Sequence, residues 1–362
     1  MNKIFHEIEE KRREIHTDSY PMSIGEVSNL YRDDELDIHP EFQRVYRWTN
    51  EQKTKLIESI LLGIPLPSFF MGQREDGVWD VIDGVQRLST IFNFMGLYKD
   101  EHGKVLPPLK LTKTEYLNLD GLTWNDFPKD QQITFKREKI DLKIVKKESD
   151  RDTKFDLFQR LNTGGSQLSN QEVRNCMLIM LGINKFEWLK SLAQTSSFVN
   201  CIPLTERSLK EKYDMELVLR FVVCLGSTPA SRKPYADISD YMTDQMRVLI
   251  FDEKHIKLVE KLFIKTFNLF ESALGEDSFR RYDNATSTFK GPFVLGLFEL
   301  FAIGYAKYLD QNGSELNTLD LEEKVMQVDH LKYKEFTKPG TRGMNRFPKL
   351  IKFGAKYFKN EN

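Results

Sequence analysis

Cysteine is scarce: Cys176, Cys201 and Cys224 are the only three in 362 residues, and no two form a Cys-x-x-Cys pair. An odd, scattered set of thiols argues against a disulfide framework or a thiolate zinc site and fits a reducing cytoplasm. Histidine is almost as sparse. His6, His16, His39, His102, His255 and His330 stand singly, so no histidine cluster is available to hold a metal and activate water, and no metal ligands are expected. Charge of one sign is not in excess either. Lys plus Arg number 53 against 54 Asp plus Glu, a net charge of −1, which removes any global attraction to nucleic acid or membrane and leaves such contacts to local patches.

Long apolar runs are missing as well. The greasiest stretch, 291–306, contains Glu299 and is too short to span a bilayer, so it is expected to be a buried helix, with no membrane contact. The opening residues MNKIFHEIEEKRREIH lack the apolar core of a signal peptide and predict a charged helix over 3–16. There is no internal repeat and no low-complexity linker. The length, with 40% hydrophobic and 30% charged residues, indicates a globular protein of two domains.

The first half mixes strand and helix signals. Ser23 is placed to cap a helix over 24–31, and 36–38 reads as a strand. Thr49 and Gln52 have capping-box spacing, followed by Leu56, Ile57, Ile60 and Leu61 on one helical face and Gly63 as the stop. Residues 68–73 and 78–82 read as a hairpin, 86–94 as a helix, 99–135 as an insertion and 138–145 as an alternating strand. Beyond about 152 the pattern is helical, with a second capping box at Ser169 and Glu172 and amphipathic stretches at 213–225, 237–250, 253–274 and 291–309. The expected architecture is α+β: a mixed domain over 1–165 and an all-helical domain over 166–362.

Three segments carry candidate chemistry. In 81–91 a strand ends at Asp83-Gly84 and a helix begins at once. Free N–H groups at a helix start suit phosphate, Gly84 permits close approach, and Arg87 can add a guanidinium fork. Asp83 is a candidate to hold a metal-bound water, to activate water or to orient Arg87, and Gln86 and Thr90 are candidates to face the same pocket. The competing reading is a plain strand–helix corner with Asp83 as the cap and Arg87 salt-bridged on the surface. In 39–67, Gln43, Arg44, Arg47 and Trp48 form a possible stacking and phosphate lip ahead of a well-capped helix. In 158–172, Asn162-Thr163-Gly164-Gly165 is either an anion-holding turn or a helix C-cap.

In this order, 40–48, 56–61, 64–67, 82–90 and 161–172 resemble the N-terminal domain of GmrSD-type restriction endonucleases. The resemblance implies a ParB/sulfiredoxin-like fold that binds, and often hydrolyses, nucleoside triphosphates, with Mg2+ as a companion ion, in an anti-phage or restriction system. It makes Asp83 and Arg87 the catalytic candidates, and Gln43, Arg44, Arg47, Gly84, Gln86, Thr90, Asn162 and Gly165 the nucleotide-binding ones. The family's usual Asp-Gly-Gln-Gln-Arg is here Asp-Gly-Val-Gln-Arg, with Val85 in third place. Longer relatives carry a His-Asn-His nuclease domain. Its histidine cluster is missing here, so a separate nuclease or defence subunit is an expected partner, and self-association is left open.

Two alternatives stand beside this reading. Residues 332–362 hold nine Lys or Arg and two Glu, and Lys349, Lys352, Lys356 and Lys359 fall on one helical face among aromatics. That stripe suits DNA phosphates in a non-enzymatic DNA-binding or adaptor protein, or else is a solvated face whose aromatics pack inward. The other alternative is a metal-dependent DNA nuclease using Glu41, Glu58 and Asp83, although Glu58 is expected to face solvent.

Overall fold

The computed structural model describes residues 16–38, 48–100, 103–147, 149, 169–233, 235–328, 330–338 and 340–360. The predicted helix over 3–16, all but its last residue, and Gln43, Arg44, Arg47, Asn162 and Gly165 lie outside them. The chain divides into two compact units, Met1–Gly182 and Ile183–Asn362.

The first unit is built on a five-stranded sheet. β1 is Thr17–Ser23, β2 Leu36–Asp37, β3 Phe69–Gln73, β4 Trp79–Asp83 and β5 Lys139–Val145, in the order β1-β5-β3-β4-β2. β1 runs antiparallel to β5, β5 parallel to β3, β3 antiparallel to β4, and β4 parallel to β2. In β5, Ile140, Leu142 and Ile144 are buried while Lys139, Asp141 and Lys143 are exposed, so one sheet face carries the core. Helices Ile24–Arg32, Asn50–Leu61 and Val85–Phe94 supply Val27, Ile57, Leu88 and Ile91 to that core.

Both N-caps of the first half are built as the sequence indicates. Ser23 accepts from the Glu26 N–H while Glu26 reaches back to the Ser23 N–H at 2.7 Å, and Thr49 with Gln52 repeats the arrangement. Gly63 follows its helix at φ 69°.

Segment 99–135 is more than a surface insertion. Leu109, Leu111, Leu119, Trp124 and Phe135 are buried in the core, and a helix, Lys129–Arg137, closes it. Buried Glu58 anchors this segment by accepting the N–H groups of Tyr116 (3.0 Å) and Leu117 (2.8 Å). Burial alone would raise its pKa, but hydrogen bonds from Thr114 and these amides hold the carboxyl below the usual glutamate value. Glu58 thus faces inward, against the expectation of a solvent position, because the chain around 116 brings unpaired amides to it.

Helix Asn170–Ala193 carries a break at Gly182, where the division between the units falls. Among its described residues the second unit is helical apart from one short hairpin, β6 Arg281–Asp283 with β7 Thr288–Lys290. Helices Tyr213–Leu225 and Glu253–Ala273 bury Phe221, Phe263, Phe267 and Phe270. The apolar stretch read from sequence is a buried helix in which the turns Leu295–Phe298, Glu299–Ile303 and Gly304–Asn312 run on without a break. The middle one is a π turn. No described helix is long and apolar enough to cross a membrane.

Candidate phosphate-binding corner

β4 ends at Asp83, and helix Val85–Phe94 starts one residue later. Gly84 makes that junction possible. It sits at φ 98°, and a Cβ there would run into the Phe69 ring. Both facts demand glycine. Among the described residues no side chain caps the helix, so its first-turn N–H groups are left without the usual side-chain acceptor. Asp83 is therefore not the N-cap.

Asp83 is instead paired with Arg87, one helical turn on, with Nη2 to Oδ2 at 3.0 Å. The guanidinium is held on three further sides. It donates through Nη1 to the Pro67 carbonyl and through Nη2 to the Ser68 carbonyl, and it lies 4.2 Å from the centre of the Phe69 ring. Burial pulls its pKa below the ordinary arginine value, while the Asp83 charge and hydrogen bond work against that shift. The side chain is 13% exposed against 39% for Asp83, so the carboxylate is the more open partner. Arg87 thus clamps the corner to the strand entry. Only its Nε–H and one Nη1–H make no hydrogen bond to the described residues. The guanidinium fork that the sequence offered to phosphate is largely committed to the protein.

Gln86 has its side-chain carbonyl oxygen buried with no hydrogen-bond partner among the described residues, an unusual state for such an atom. Thr90 is fully buried and donates to the Gln86 carbonyl at 2.7 Å, so its hydroxyl turns back along the helix rather than out to a ligand.

Two further groups were not legible as site residues. Phe70 pairs with Asp83 on one side and Lys143 on the other, and the Lys143 ammonium lies 5.6 Å from the Phe70 ring centre. Lys143 is exposed and stands two strands from Asp83 across the same row, roughly 10 Å at ordinary strand spacing. The alternation of β5 gave its face, but only the strand order gave its neighbour. The second is Arg74, which donates to Asp80 (Nε, 2.9 Å) and Asp37 (Nη2, 2.7 Å). Burial would lower its pKa, yet the two carboxylates hold it above the usual value. This trio ties β2 to the β3–β4 hairpin. Because β2 runs parallel to β4, the chain leaves Ile38 heading toward the end of the sheet that holds Asp83.

No group of three or more His, Cys, Asp or Glu side chains among the described residues could hold a metal ion. The basic stripe is exposed: Lys349, Lys352, Lys356 and Lys359 lie on the outer side of helix Gly343–Phe358 and just past its end, while Phe347 and Phe358 are buried.

An α+β domain whose sheet turns into an uncapped helix through Asp-Gly, joined to a helical domain, is the class the structure defines. Residues 27–179 match the family model described as GmrSD restriction endonuclease, N-terminal domain. Over those residues the chain is similar to a GmrSD N-terminal domain, a likeness that suggests a component of a restriction-type defence system. Comparison with curated proteins and with solved structures gave no match.

Proposed function

We propose that the Asp83–Arg87 corner binds the phosphate end of a nucleoside triphosphate, in a chain that works within a restriction-type defence system. The observation that carries this reading is the uncapped start of helix Val85–Phe94, opened by a glycine at positive φ beside an exposed carboxylate. The helix start can receive anionic oxygens through main-chain N–H groups aided by its dipole. The unpartnered Gln86 carbonyl oxygen can accept from a ligand hydroxyl or amino group. Lys143 stands two strands away on the row of Asp83, and Gln43, Arg44, Arg47, Asn162 and Gly165 are proposed to complete the pocket.

Hydrolysis is the further part of the proposal. Mg2+ carried with the nucleotide would neutralise phosphate charge, and Asp83 is the carboxylate at hand to orient it or a water. Arg87 acts mainly by fixing Asp83 and the strand entry. Glu58, held by two amides, is not available for the metal-dependent nuclease alternative.

Thermal unfolding with ATP or GTP, with and without Mg2+, tests the reading. At a hundredfold excess over Kd a true ligand stabilises by about 2.7 kcal/mol, a rise of several degrees. Arg87→Ala is expected to remove the rise while the protein still unfolds cooperatively. An equal rise in Arg87→Ala, or none in the native protein, rejects the reading.

A second reading has one observation of its own. The lysine stripe of helix Gly343–Phe358 faces outward, which suits DNA phosphates.

A further inference from the structure

The second unit holds a cavity of about 510 Å³ that neither the corner nor the lysine stripe uses. Its volume is in the range of small-molecule sites. Its floor is apolar: Leu297, Phe301, Val325 and Val328, all buried. Its rim is basic. Arg280, Arg281, Lys334 and Lys338 face a single acid, Glu335. Arg280 is already committed, to the Gly291 carbonyl at 2.8 Å and to Asp277 at 2.9 Å. Arg281, Lys334 and Lys338 are exposed and make no ion pair with the described residues. The rim therefore keeps an excess of positive charge over an apolar well.

We propose that this cavity binds an amphipathic organic anion: a hydrocarbon or aryl body in the well, with a carboxylate, sulfonate or phosphate head among Arg281, Lys334 and Lys338. The floor decides the body. A nucleobase needs several hydrogen-bond partners for its edge, and the buried part of the lining offers the Tyr333 phenol alone; the Tyr282 phenol is only half-buried, and the Thr337 hydroxyl already donates to the Tyr333 carbonyl at 2.9 Å. Burying an unsatisfied base edge there would cost more than the contact returns, whereas an apolar body leaves nothing unpaired. The head group is set by charge alone, so the three anions share one chemistry. Burial holds the Tyr333 phenol above the ordinary tyrosine pKa, leaving it a donor at neutral pH.

The probe is 8-anilinonaphthalene-1-sulfonate, an aryl body with one sulfonate, followed by fluorescence titration of the full chain. Saturable binding at one site per chain is expected, weakening as salt rises. The double variant Lys334→Ala/Lys338→Ala should bind about tenfold more weakly, two rim attractions at the upper end of exposed-pair strength. Val328→Phe, which fills the well, should abolish binding with the rim charges intact. Decanoate should compete and thymidine monophosphate should not. Arg87→Ala should bind the probe as the native chain does. Binding without saturation, equal affinity in the double variant, competition by the nucleotide alone, or loss in Arg87→Ala each overturns the proposal. Unchanged melting temperatures in the lysine variants separate a damaged site from a loosened fold.

Discussion

At the residue scale the decisive positions are those where a single atom more would not fit. Gly84 combines positive φ with the Phe69 ring at its Cα, so Gly84→Ala meets left-handed strain of about 1–2 kcal/mol and a collision besides. A loss of at least about 2 kcal/mol in urea unfolding is expected, and a loss under about 0.5 kcal/mol would mean that the corner adapts. The importance of Gly84 was legible, since Asp-Gly between a strand and a helix has few other uses. Of Arg87 the salt bridge was legible, as part of the competing reading, but its burial and its clamp on the strand entry were not. Its acceptors at Pro67 and Ser68 are close in space but about twenty positions away in the chain, and no local pattern announces a carbonyl pointing at a guanidinium. Glu58 reads wrongly from sequence for the same reason, because its amide partners at Tyr116 and Leu117 come from a segment with no periodicity of its own.

At the scale of elements, local grammar carried far. Caps at Ser23 and Thr49, the stop at Gly63, the β3–β4 hairpin and the alternation of β5 are short-range signals, and each is found in place. β1 is hard to see in the sequence because it is an edge strand with Pro21 inside it and no clean apolar alternation, tolerable only where one side needs no ladder partner. Helix Lys129–Arg137 is equally hidden because it buries only Phe135. The π turn Glu299–Ile303 sits at a helix contact visible only in three dimensions. Gly304 and Gly354 let two helices touch backbone to backbone, and a Cβ on Gly354 would strike the Leu300 carbonyl. Gly354→Ala must push helix Gly343–Phe358 off that contact, with an expected cost of about 2–3 kcal/mol. Thermal unfolding checks it, and an unchanged midpoint would show that the approach has slack.

At the scale of the whole molecule, near-zero net charge hides a sorted distribution. The stripe of Lys349, Lys352, Lys356 and Lys359 collects positive charge on one helix face. If that face holds DNA, replacing Lys349, Lys352 and Lys356 by Glu should abolish a mobility shift seen at low salt. Neutralising the same lysines singly, as Lys→Gln, should flatten the salt dependence by about one unit of slope for each phosphate that is no longer met. A shift that survives the triple variant removes the stripe as the grip. The order of a mixed domain before a helical one was legible from the change of periodicity, and the compact units divide at Gly182. The sheet order was not legible, since β5 inserts between β1 and β3 after more than about fifty intervening residues.

Glu299 is wholly enclosed, with Arg220 at 3.1 Å and Arg346 bonded to both its oxygens at 2.9 and 3.0 Å. During synthesis Arg346 leaves the ribosome 47 residues after Glu299. Until it arrives, the carboxylate has only half its escort, and the notch at Gly304 has no helix to fill it. The helical unit is therefore expected to reach its final packing only once helix Gly343–Phe358 has emerged, and a nascent chain stalled with residue 342 just outside the ribosome should be far more open to protease than one that has also exposed that helix.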